Sequence, residues 1–220
     1  MLMLSDRNKD IMSQANGLWI FVNEMIDHKN PNFEDDYCKI VYIYYRIFCQ
    51  NYRSFDMLIK DKQISPAIVL LRTMLELHIK SHFLFFIERG QSSVSDFLDG
   101  KKPFPNFFKM AEALENYQDE SGKGFEGSFD QFTKKNLASY EKFSWFSHGK
   151  GDYLKAFFMQ GKMIFTQENI TELLLTAKGL FETLSLLLFF SQNKLDSTKI
   201  LLEKIADVDA ALGLNNEATK

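Results

Sequence analysis

The chain has 220 residues, of which 45% are hydrophobic and 25% charged, with a formal net charge of -3. That is enough apolar mass for one sizeable core. The near-balanced charge excludes a polybasic nucleic-acid binder and an acidic tail protein, so global charge selects no partner.

Residues 5–28 carry Ile11, Leu18, Ile20, Phe21 and Met25 at helical spacing, and the polar run 28–32 closes this first helix. A second, long helix is expected over Phe33 to Lys60, which contains neither Gly nor Pro. Cys38 and Cys49, the only cysteines, lie on it about 16 Å apart at the helical rise, too far to be bridged. Two lone thiols and no signal-peptide pattern over 1–14 make the cytoplasm the expected compartment. A third helix is predicted from Ser65, with Pro66 in its first turn, to Gly90 as the stop. Short helices follow at Ser93 to Leu98 and Phe107 to Tyr117.

The run SGKGFEG at Ser121 to Gly127 lacks a preceding strand and a closing GK[ST], so it reads as a flexible linker and not as a phosphate loop. Helix returns at Phe129 to Tyr140. Near 153–165, around Gln160-Gly161, a small irregular or β-hairpin insert is expected. Thr166 then caps a long apolar helix to Ser191, which Lys178 and Glu182 interrupt, so no membrane span is expected. A last helix covers Asp196 to Leu212. The fold expected is all-α: one domain over 1–212, a helical bundle of about six or seven helices, with a frayed tail at 213–220.

The candidate chemistry lies in two places. Arg72 and Glu76, four residues apart in an otherwise apolar helix, can form an ion pair, and the apolar neighbours suggest burial. His78 is six residues past Arg72, roughly 120° around a straight helix. His78 and His82 have i,i+4 spacing, but without further ligands at suitable spacing no metal or cofactor is expected. The second place is Ser144-Trp-Phe-Ser147-His148-Gly149-Lys150, where His148 sits at a helix-ending turn and is the best candidate titrating group. Over 131–165 six lysines face two acids, a local basic surface that makes RNA a candidate partner.

The run SPAIVLLRTMLEL at Ser65 to Leu77, followed downstream by SWFSHGK at Ser144 to Lys150, resembles a widespread set of uncharacterised bacterial all-helical proteins with an LLRxxLE helix and an SxxHG turn. Arg72-x5-His78 also satisfies the R-x(4–6)-H pattern of the HEPN superfamily, whose members are helical, often dimeric, and frequently metal-independent ribonucleases in toxin–antitoxin and phage-defence systems. Thr73 stands where that pattern usually has Asn, Asp or His, and Arg72 lies in the first third of the chain. The superfamily resemblance implies a stress or phage-defence protein, a homodimer that meets RNA and an antitoxin or other defence partner. In it, Arg72 would stabilise phosphorane-like charge and His78 would serve as general acid or base. The first resemblance alone implies that Arg72, Glu76 and His148 converge in one pocket of unknown ligand, and a competing reading is a non-catalytic binding module. There Arg72, Glu76 and His148, with Ser144, Ser147 and Lys150 beside them, would hold a small anionic ligand or a partner peptide.

Overall fold

The computed structural model describes residues 4–29, 31, 33–127, 129, 146, 151–161 and 163–214. Five of its helices begin where side chains satisfy the open amides of a first turn. The Ser5 hydroxyl accepts from Asn8 N–H at the start of α1 (Asp6–Met25), and Asp35 accepts from Cys38 N–H at the start of α2 (Asp36–Lys60). The next helix, α3 (Ile64–Phe83), runs directly into a π-helical turn at Leu84–Glu88. Ser93 caps α4 (Val94–Leu98) and Asn106 caps α5 (Phe107–Glu115). After α6 (Gly151–Gln160), Thr166 and Asn169 form a reciprocal capping box that opens α7 (Gln167–Ser191). The last helix is α8 (Leu195–Ala211).

Helix α7 is the axis of the bundle. It packs against α1, α2, α3 and α8, while α3 also lies against α2 and α5. Along their contact, Tyr45, Phe48, Phe55, Phe181 and Phe189 are fully buried, and each such ring contributes about 1.5–3 kcal/mol through burial. The Tyr52 and Phe181 rings meet at 5.4 Å between centroids, locking α2 onto α7. By length and composition α7 is apolar enough to cross a bilayer, but 67% of its most apolar window is buried by the other helices.

Three expectations are corrected. Among the described residues there is no hairpin near 153–165: Gly151–Gln160 is α-helical, because Leu154 to Met159 has no β-favouring alternation and Gly161, at φ +68°, simply ends the helix. The bundle has eight α-helices and one π turn among the described residues, and α3 starts one residue before Ser65 without a side-chain cap. The Gly-rich run is shaped into a turn. Asp119 accepts from Ser121 N–H and Lys123 N–H, and a Cβ at Gly124 would lie 1.9 Å from the Tyr117 carbonyl, which only glycine permits. The predicted helix at 129–140 lies outside the described residues, apart from Phe129.

Candidate functional site

Rotation along α3 sorts its polar groups. At about 100° per residue, Pro66, Val69, Leu70, Thr73, Glu76 and Lys80 form an open ridge, and each is partly or fully exposed. Arg72 stands on the edge of that ridge. Its Nε lies 3.4 Å from Glu76 Oε1, with the two side chains 17% and 33% exposed. The ion pair anticipated from their spacing is therefore formed, but it meets solvent. The Glu76 end stays open enough to be screened, which keeps the worth of the pair at about 1 kcal/mol.

His78 faces the other way, into the core. It is 2% exposed and its Nε2 lies 2.8 Å from Thr183 Oγ1 on α7. The Thr183 hydroxyl donates to the Gly179 carbonyl at 2.9 Å, so its oxygen is left to accept and His78 carries its proton on Nε2. His82, 5% exposed, sits one turn on, its ring centroid 4.2 Å from that of His78. Its Nδ1 is 2.8 Å from the His78 carbonyl. A carbonyl only accepts, so His82 is protonated on Nδ1. Phe86, Phe125 and Phe129 surround the pair. Burial drives the His78 pKa well below the ordinary histidine value, with help from His82, and takes His82 down to about 4. Both rings are therefore neutral near pH 7.

Beside the open ridge lies a groove of about 490 Å³ lined by Leu58, Ser65, Pro66, Val69, Leu70 and Phe146. Only Ser65 among these has a polar side chain, so the groove suits an apolar segment. Val69 and Arg72 are one turn apart on the same helix, placing the guanidinium near its end. Ser144, Ser147, His148 and Lys150 lie outside the described residues; their neighbour Phe146 is buried against Phe165 at 6.1 Å. The groups brought together are thus Arg72 with Glu76, and separately His78 with His82 and Thr183.

Two further ionic centres lie elsewhere in the bundle. Lys178, 3% exposed, reaches Glu182 Oε1 and Asp209 Oδ1, each at 2.5 Å. Desolvation raises the Glu182 pKa to about 7 although Lys178 opposes it. Buried Glu88, at the π turn, binds Lys102 at 2.5 Å and accepts from Ser92 at 2.8 Å. Lys178 and Glu182 stood out in the sequence as interruptions of an apolar run, but nothing local names Asp209 as their partner. Among the described residues no three His, Cys, Asp or Glu side chains converge as a metal site. No family model matches the chain, and neither the curated proteins nor the solved structures include a significant match.

Proposed function

We propose that this chain is a non-catalytic helical binding protein that recognises a partner peptide through the open ridge of α3. The Arg72–Glu76 pair takes the peptide's carboxylate, and the adjoining groove takes its apolar side chains. What supports this reading is the groove of about 490 Å³ on the same face of α3 as the ion pair. A guanidinium has five N–H donors in a planar fork, so one Arg can bridge Glu76 and an incoming carboxylate.

Ribonuclease chemistry needs Arg72 and His78 at one phosphodiester. They leave α3 about 120° apart, and the Nε2 proton of His78 is directed at Thr183 inside the core. Fluorescence anisotropy with a labelled peptide of leucines and phenylalanines around a single glutamate tests the binding reading. Saturable binding is expected, weakened at least about tenfold by Arg72→Ala, the order of a lost charge-assisted contact, and abolished by Val69→Asp. Absence of peptide binding, together with metal-independent RNA cleavage that disappears in both Arg72→Ala and His78→Ala, would replace this reading by the ribonuclease one.

A further inference from the structure

We propose that the chain pairs with a second copy of itself through one broad face made by the outer ridges of α2, α1 and α8, the cationic ridge of each copy lying on the acidic ridge of the other. The order of these helices follows from contacts at their edges. Met12, Asn16 and Trp19 of α1 share a cleft with Tyr52, Arg53, Asp56 and Met57 of α2. On the opposite edge of α1, Phe21 lies under Lys204 of α8 at 5.9 Å. Between those edges Ser13, Gly17, Ile20 and Glu24 point outward, all exposed.

The α2 ridge carries Lys39, Arg46, Arg53 and Lys60, each seven residues from the next and each exposed. Seven residues is nearly two turns, so the four cations align over roughly 31 Å. Two are held in place, Arg46 over the Tyr42 ring at 5.9 Å and Arg53 over Trp19 at 5.5 Å; Asp56 offsets Lys60 at 2.6 Å. Ile43, Ile47 and Met57 are exposed beside them. On α8, Asp196, Ile200, Glu203 and Asp207 occupy a sector about 60° wide on the side toward α1, with Lys199 farther out. One edge of the face is therefore basic, the other acidic, and exposed isoleucines lie on all three helices.

This polarity selects the symmetry. A two-fold axis running along α1 sets the α2 ridge of each copy opposite the α8 ridge of the other, so the cation-on-acid contact is made twice. An axis across the helices would set cations on cations. Gly17 lies at the centre of the selected arrangement. Within the protomer a Cβ there meets nothing within 4 Å, and mid-helix glycine is unfavourable relative to alanine. Two α1 backbones approaching at the axis make use of the missing side chain. This face is separate from the α3 groove, so the two proposals stand or fall independently.

Sedimentation equilibrium should give about twice the protomer mass of 25.6 kDa, with the association weakened by salt. Arg46→Glu with Arg53→Glu should give a monomer of unchanged helical circular dichroism, as should Glu203→Lys with Asp207→Lys. Mixing these two monomers should restore a dimer, because each then meets the opposite charge at both contacts, a rescue that misfolding cannot produce. Gly17→Leu, which has room in the protomer, should also be monomeric. A monomeric wild type, whether or not it takes up polyuridine, would overturn the proposal, as would a dimer that survives the reversals or a mixture that stays monomeric.

Discussion

His82 illustrates how a single residue's burial becomes a pH dependence. Its folded pKa of about 4 lies below the ordinary histidine value of 6.5, so across that interval the unfolded chain binds a proton that the folded chain refuses. Stability therefore falls as pH drops from 6.5 toward 4, by an amount on the order of 2 kcal/mol at pH 5 for this residue. His78 acts in the same direction. Urea unfolding of His82→Gln should show a deficit against wild type at pH 7 that shrinks or reverses at pH 5. A deficit identical at both values would mean that His82 does not remain neutral in the folded chain. The i,i+4 spacing of the two histidines is visible in the sequence; their neutral, inward state is not, because Thr183, Phe125 and Phe129 arrive from distant segments.

Within α7 and α3, the same kind of polar pair has opposite standing. On α7, Lys178 is enclosed with Glu182 and reaches across to Asp209 on α8. Lys178→Met would strand two carboxylates and should cost about 3–5 kcal/mol, most of it recovered in Lys178→Met/Glu182→Leu. Recovery would be seen as a urea midpoint back near wild type. Glu182 also titrates oppositely to the histidines. With a folded value near 7 against an ordinary 4.5, the folded chain holds a proton that the unfolded chain releases, and stability falls as pH rises from 4.5 to 7. Glu182→Gln should therefore gain on wild type progressively over that range. On α3, the Arg72–Glu76 pair is partly open at its Glu76 end, and Arg72→Ala should cost about 1 kcal/mol; a loss above ~3 kcal/mol would signal a buried charge left behind. The α3 sequence alone favours burial of both, since it cannot tell which stripe α2, α5 and α7 will cover.

At the scale of the molecule, α7 buries its length by gathering α1, α2, α3 and α8 around it, leaving two separate faces open: the α3 ridge with its groove and the α2–α1–α8 face. A protein that pairs through the second face folds with linkage to its concentration. Its melting temperature should rise on concentration, and the rise should vanish in Arg46→Glu/Arg53→Glu; equal dependence in both proteins would place association elsewhere. On helix α6, Phe158 is 86% exposed among the described residues.

By itself, the sequence determined the all-helical class and most helix bounds, because caps such as Ser5, Asn106 and Thr166 act on amides within three residues of them. It also determined that Arg72 pairs with Glu76, a matter of spacing on one helix. Tertiary packing alone decided that His78 points into the core, that Arg72 stands at the edge of an open ridge, and that Lys178 finds Asp209 on another helix. Those outcomes depend on which face of each helix a distant segment covers, and burial and long-range ion pairing are set by neighbours that local spacing does not encode.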